Sequence, residues 1–368
     1  MLDRREVTEK KKMSIGAMTI ATLFTIALVI AGIVVVLRMI GKERVQNAID
    51  GTGEGITEIG EVVSVNNAES VSDSENRILY NGVEYAYNED MITILVMGID
   101  KETQVEVGGQ SWEAEEGDTN TGGQADALFL ILINPHKEDI SIVAINRNTM
   151  TDVDVWNAAG DYEGAFVKQI ALQHGYGDGG TESCERQVRT VSRLFHGIPI
   201  NAYAAISMDA LPELNDAVGG ITVEVLDDII YPEYDMDLHQ GDTVTLYGEK
   251  AYWYVRLRNE NIFNSNEQRL QRQKQYLTTF AATAKNMAMS DIRVATNLYE
   301  TLQKYMVTDI DLSSFTYLAT EYIGYDFNAD HIYSLTGEVV QGNLFEEFYA
   351  DEDALEALIV ELFYEPVE

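Results

Sequence analysis

Ile92-Thr93-Ile94-Leu95-Val96-Met97-Gly98-Ile99-Asp100 is a short apolar run that ends on a glycine and a carboxylate. A run of this length with such bounds reads as a strand buried on both faces. Ala127 to Ile133 and Ile140 to Ile145 repeat the pattern, each bounded by Gly, Asp, Asn or Pro. Upstream, Ile78, Tyr80, Val83, Tyr85 and Tyr87 alternate around Asn81-Gly82, a strong hairpin signal that opens the folded part. Downstream, Val188, Val191, Leu194 and Phe195 carry helical spacing, strand-like Ala202 to Ile206 follows, and helical Leu211 to Val218 stops at Gly219-Gly220 before Thr222 to Leu226. Strands alternating with helices predict an α/β fold, a layered α-β-α domain with a central mixed sheet. A helix from about Glu267 to Met287 closes it. The domain is set at 78–288, and residues 289–368, rich in Tyr and Phe and ending in an acidic helix around Asp353 to Phe363, read as an appended, mainly helical region.

The amino-terminal end has a different character. Ile15 to Leu37 is 23 residues without a charge, long enough as a helix to cross a hydrocarbon core of about 30 Å. Arg38, Lys42 and Arg44 follow directly where a cleavable signal would show small residues. The reading is a cytoplasmic tail over 1–14, a single transmembrane helix over 15–40 and an extracellular linker over 41–77, whose stretch after Arg44 is rich in Gly, Glu, Ser and Asn. With 25 Lys and Arg against 61 Asp and Glu, the formal charge is -36, which repels a phosphate backbone and argues against nucleic-acid binding. The lone cysteine, Cys184, forms no internal disulfide and reads as a half-buried helix residue rather than a nucleophile. No histidine has metal-ligand spacing to it or to another histidine, so a zinc site is not expected.

In so acidic a chain, Arg256, Arg258, Arg269, Arg272 and Lys274 fall within 19 residues, offset only by Glu260 and Glu267. If Tyr252 to Arg258 ends in extended form, Arg256 and Arg258 share one side. Arg269, Arg272, Gln273 and Tyr276 share one helical face. Two converging arginine pairs suit a diphosphate, because rigid guanidinium forks match phosphate oxygens; each arginine taken singly reads better as a surface salt bridge, and the group as a whole tips the balance. Asp100 lies just after the first strand and Asp126 just before the second, and Arg147 ends the third. Two strand-end carboxylates with diphosphate oxygens suit Mg²⁺, or Mn²⁺, while an Asx turn and a loop carboxylate are the alternative.

Taken in order, Gly98-Ile99-Asp100, the Asp126 strand, Arg147-Asn148-Thr149, Gly179-Gly180, Ala217 to Ile221, Gly248 to Ala251 and Arg256-Leu257-Arg258 through Arg269 to Gln273 resemble the LytR-CpsA-Psr family of cell-envelope phosphotransferases. The resemblance spans roughly Met91 to Lys285. It implies a membrane-anchored enzyme whose outward domain moves a polyprenyl-diphosphate-linked glycan, of teichoic-acid or capsule type, onto peptidoglycan through a phosphodiester on the outer face of Gram-positive cells. By this resemblance Arg147, Arg256, Arg258, Arg269, Arg272 and Gln273 hold the diphosphate, Asp100 and Asp126 bind Mg²⁺, Arg147 and Asp126 are the catalytic pair, and membrane lipid, the lipid-linked glycan and peptidoglycan are the partners. Three positions depart from the family pattern. Asn148 and Asn266 stand where it has Asp, and Ala171 stands where it has Lys, with Lys168 one turn away. An amide cannot act as a base, so a non-catalytic polyprenyl-diphosphate-binding protein that organises polymer assembly is the alternative function.

Overall fold

The structure is a computed structural model and describes residues 37–50, 77–100, 122–157, 159–259, 262–291, 293–342 and 345–367, with short strand pieces at 69–70, 106–107 and 110–111. The expected membrane span lies almost wholly outside the described residues. Among these no helix is long and apolar enough to cross a membrane.

In chain order the elements used below are α1 (residues 37–49), β1 (Arg77–Tyr80), β2 (Val83–Tyr87), β3 (Ile92–Asp100), β4 (Gln124–Asn134), β5 (Asp139–Ile145), β6 (Met150–Trp156), β7 (Tyr162–Gln169), α2 (Thr181–Leu194), β8 (Ala202–Ser207), α3 (Leu211–Ala217), β9 (Ile221–Glu224), β10 (Thr243–Leu246), α4 (Glu249–Arg256), α5 (Ser265–Ser290), α6 (Arg293–Leu302), β11 (Met306–Thr308), α7 (Leu312–Glu321), β12 (Ile332–Ser334), β13 (Gly337–Gln341), β14 (Glu346–Ala350), α8 (Glu352–Phe363) and β15 (Tyr364–Pro366). The central sheet runs β11-β8-β3-β4-β5-β12. Its inner pairs β3/β4 and β4/β5 are antiparallel, while β8 joins β3 and β12 joins β5 in parallel. This is the mixed sheet that the strand pattern predicts. The hairpin expected at Asn81-Gly82 is present too, both residues having positive φ as a tight two-residue turn requires.

Strand alternation sorts the core into two faces. Leu95, Met97, Ile99, Leu128, Leu130, Leu132, Val143 and Ile145 face α2 and α8, where Cys184, Val188, Val191, Leu355, Ile359 and Phe363 meet them. On the other face, Ala127, Phe129 and Ala144 lie under Leu270 of α5, and Ile92, Ile94 and Ile133 lie under Val45 of α1 and Tyr317 of α7. A second, smaller core packs the β9/β10 ribbon against α4 and α5 through Ile221, Val223, Leu246, Tyr254, Val255 and Tyr276.

Three sequence expectations change here. Residues 289–368 are not an appendage, because β11 and β12 form both edges of the central sheet and α8 fills one face of its core. Several of its Tyr and Phe residues are core: Phe363 is fully buried with its ring 6.5 Å from that of Phe195, and Tyr299, Tyr317, Phe348 and Tyr364 are buried, while Phe345 and Tyr349 are exposed. The start of the supposed linker is helical through residue 49, with Val45 packed in the core and Arg38 and Arg44 paired with Glu321 and Asp311 of α7 and its cap. Tyr252 to Arg256 is helix rather than strand, because Ala251, Tyr254 and Val255 recur at helical spacing and bury against α5.

The buried Phe363 ring makes Phe363→Ala a cavity-forming change, expected to cost about 3–5 kcal/mol in urea unfolding. A fragment ending at residue 288 lacks both sheet edges and is expected to give no cooperative transition. Asp309, beside α7, accepts the Tyr203 backbone N–H at 2.8 Å, and burial pushes its carboxyl up to about 6. A raised carboxyl holds its proton more tightly when folded, so this contribution is full below about pH 4 and is lost as pH rises through about 6. Asp309→Asn keeps the acceptor and is expected to gain roughly 2–3 kcal/mol at pH 7 and nothing at pH 4, read from unfolding curves at the two pH values.

Candidate functional site

The site is built where three strands end. The register between β3 and β4 pairs Gly98 with Ala127 but Ile99 with Ala125, leaving Asp126 as an extra residue. Such a bulge breaks alternation and re-aims side chains. Ala125 therefore packs on the α2 face while Ala127, two residues on, packs on the α5 face. Asp100 alternates with Ile99 and so also falls on the α5 face. Gly123, with φ of 78°, lets β4 begin beside Asp100, since a Cβ there would come within 2.7 Å of the Asp100 carbonyl oxygen.

The third strand, β5, ends in an Asx turn. The Asn148 N–H donates to Asn146 Oδ1 at 2.9 Å, and the Thr149 N–H and hydroxyl both donate to the Asn146 carbonyl at 2.9 and 2.6 Å. This turn points Arg147 back across β4. Its Nε lies 3.1 Å from Asp126 Oδ1, an ion pair without hydrogen-bond alignment, and Nη2 donates to Gln124. Both side chains are about 85 % buried.

The helical arginines divide into two groups. Arg256, the last residue of α4, pairs with Asp100 at 2.7 Å, donates to the Tyr252 hydroxyl and lies against the Tyr252 and Trp253 rings. Arg269 enters from the first turns of α5 and donates to Asn266 at 2.7 Å; Asn266 donates in turn to Asn146 at 2.7 Å. Burial first, then repulsion from Arg147, Arg258 and Arg272, pulls the Arg269 guanidinium down to about 9, against the opposing pull of Asp126. Arg258, half-buried just past α4, thus belongs to the same electrostatic neighbourhood.

Arg272 and Gln273 belong to a different structure. Arg272 is 1 % exposed, donates to the carbonyls of Tyr254 and Leu257, and faces Asp227 at 3.3 Å. Gln273 donates to the Val255 carbonyl at 3.2 Å. Together they tie the end of α4 to α5 and so place Arg256 and Arg258. Both residues, expected at the diphosphate, are engaged here with α4, because the helical end of α4 leaves carbonyls that need donors. Lys168 lies 5.9 Å from the Tyr176 ring, and Ala171 is fully buried with its N–H on the Arg147 carbonyl.

Cys184 is deeper than the sequence suggests. Its thiol is fully buried, and burial pushes it up to about 12, so it has no nucleophilic role. Its Sγ sits 3.9 Å from His174 Nε2 while His174 Nδ1 meets the Gly122 carbonyl at 3.0 Å. On the α2 face, His196, Glu352 and Glu356 also gather within 4.8 Å, with a His196–Glu352 contact of 2.8 Å joining α2 to α8.

Sequence reasoning missed Asn146, Asn266 as a linker, Gln124, Tyr252 and Asp227. Asn146 had a signal, since Asn two residues before a turn's end is a common local acceptor. The others depend on contacts between distant segments.

For a divalent cation, the relevant observations are two carboxylates on one face of neighbouring strands and a buried Asp126 oxygen that carries no hydrogen bond. Hard oxygens of this kind, completed by phosphate oxygens, fit Mg²⁺. Cationic forks beside strand-end carboxylates on an α/β scaffold have the chemistry to hold a multiply charged phosphate ester.

The sequence profile of the LytR_cpsA_psr family matches residues 59–362, and the chain belongs to that family. It is 26% identical over 253 residues to the polyisoprenyl-teichoic acid--peptidoglycan teichoic acid transferase TagU of Halalkalibacterium halodurans, covering 68% of this chain and 71% of the relative. It is 25% identical over 295 residues to TagU of Bacillus subtilis, covering 80% and 84%. Among solved structures, B. subtilis TagV superposes with a TM-score of 0.55 at 24% identity, covering 74% of this chain and 95% of that one.

The division of the arginines is testable by unfolding. Arg272→Met, which strips donors from buried carbonyls and leaves Asp227 without this partner, is expected to cost about 3–5 kcal/mol in urea unfolding. Arg147→Ala, which leaves Arg269 beside Asp126, and Arg256→Ala, whose guanidinium is less buried than that of Arg272, are expected to cost less, about 1–2 kcal/mol.

Proposed function

We propose that this protein is a membrane-anchored glycopolymer transferase that moves a polyprenyl-diphosphate-linked glycan, of teichoic-acid or capsule type, onto peptidoglycan through a phosphodiester. The observation that carries this reading is the meeting of Arg147, Arg256, Arg258 and Arg269 with Asp100 and Asp126 at one strand edge, in a chain whose overall charge is -36. A strongly anionic ligand is the partner that such a concentration of guanidinium groups suits best. The names of the TagU relatives point to the same chemistry.

Arg256 and Arg147, each now paired with a carboxylate, exchange those partners for phosphate oxygens as the ligand enters. Arg269 supplies its charge from beneath. Mg²⁺, held by Asp100 and Asp126, would supply further neutralisation of the diphosphate. In the transfer a sugar hydroxyl oxygen bonds to the polymer-bearing phosphorus, the bond from that phosphorus to the polyprenyl phosphate breaks, and the hydroxyl proton leaves to Asp126 or to solvent. A loose phosphoryl transition state asks for charge balance and alignment more than for a base. The replacement of carboxylates by Asn148 and Asn266 is therefore compatible with turnover. The uncharged run over residues 15–37 supports an anchor with a cytoplasmic amino terminus and an outward-facing domain.

A second reading is favoured by those same amides and by Ala171. In it the site holds the lipid diphosphate and organises assembly without chemistry. The full-length chain in lipid nanodiscs, given a short polyprenyl-diphosphate glycan, Mg²⁺ and peptidoglycan oligomers, separates the two by mass spectrometry. The transferase gives a phosphodiester-linked product that falls at least about a hundredfold in Arg147→Ala. Bound, unreacted lipid in the parent protein supports the holding role instead.

A further inference from the structure

In the buried run of hydrogen bonds from the end of β5 to α5, groups that can only donate fix every direction. Arg269 only donates, so Asn266 must turn Oδ1 toward its Nη2, at 2.7 Å. Asn266 then has only its NH₂ to offer on the other side, and Nδ2 donates to Asn146 Oδ1 at 2.7 Å. That same oxygen accepts the Asn148 backbone N–H at 2.9 Å, a second group unable to accept. The two amides are locked from both ends. Asn146, Asn266 and Arg269 are all at least 94 % buried, so water does not substitute freely for any link.

We propose that Asn146 and Asn266 are positioning residues, a neutral amide relay that aims Arg269 at the diphosphate without cancelling its charge, and that Asn146 makes an amide rather than an acid obligatory at position 266. This rests on the diphosphate reading of the site. A carboxylate at 266 sets one oxygen against the Asn146 carbonyl oxygen at the present 2.7 Å, and Asn146 cannot turn round without giving up the Asn148 N–H. It also places a full negative charge on the guanidinium that the ligand must use. Arg269 stands among Arg147, Arg258 and Arg272 with Asp126 as acidic neighbour, and the neutral amide at 266 adds no further negative charge beside it.

The test uses the full-length chain in detergent micelles as wild type, N146A, N266D and the N146A/N266D double variant. Inorganic pyrophosphate affinity is read by calorimetry and Tm by thermal unfolding. N266D is expected to weaken pyrophosphate at least about tenfold and to lower Tm. In the double variant the oxygen–oxygen clash is gone, so Tm recovers most of the N266D loss, while pyrophosphate affinity stays weak because the charge remains. A role confined to folding would move the two readouts together. Unchanged pyrophosphate affinity in N266D, or Tm losses that merely add in the double variant, overturns the proposal. If wild type itself fails to bind pyrophosphate, the diphosphate reading falls, while the Tm coupling of the two variants still decides the relay.

Discussion

A guanidinium buried as deeply as that of Arg269 costs several kcal/mol to take out of water unless its hydrogen bonds and charge are answered. Here the hydrogen bonds are answered by a neutral amide and the charge by Asp126, which also faces Arg147. Asp126 is thus shared between two guanidinium groups, Arg147 and Arg269. The whole end of the sheet follows from this arrangement: the bulge turns Asp126 to the α5 face, the Asn146 turn sends Arg147 back over it, and the first turns of α5 bring Arg269 in from above.

Rigidity comes from hydrogen bonds between the helices that carry the arginines. Arg272 and Gln273 bind the open carbonyls of α4, so the two arginines at its end hold their places relative to α5. Beneath them Leu270 packs on Ala127, Phe129 and Ala144, so the helix that carries Arg269 is seated on the strands that carry Asp126 and Arg147. The carboxy-terminal region completes the support by closing both edges of the sheet. Site and core are thus one packing problem, in which the cost of buried charge is met by a tightly interlocked α-β-α sandwich.

Much of this is legible in the sequence. The three apolar runs became adjacent strands because each is short, β-branched and sharply bounded, and Asp100, Asp126 and Arg147 came together because strand ends fall at known offsets from such runs. The charge contrast between a -36 chain and a cluster of arginines singled out the segment whose Arg256 reaches Asp100 and whose Arg269 reaches Asn266. What stayed hidden depends on tertiary contact. A one-residue bulge has no composition signal, and a buried arginine that fastens carbonyls looks the same in sequence as one that binds phosphate. The edge strands β11 and β12 are three residues each and gain their form from the sheet they join. Tyr252 to Arg256 opens with four aromatic or β-branched residues that suit a strand, and only packing on α5 shows that it is helix.

The two Asp–Arg pairs, Asp100–Arg256 and Asp126–Arg147, form the resting arrangement that the proposed lipid diphosphate would open. A crystal structure of the protein with a short polyprenyl diphosphate and Mg²⁺ would show whether it does. Both phosphates are expected within hydrogen-bonding distance of Arg147, Arg256 and Arg269, with both pairs parted and Arg272 still on the α4 carbonyls. Phosphates bound elsewhere, or bound here with both pairs intact, would contradict it.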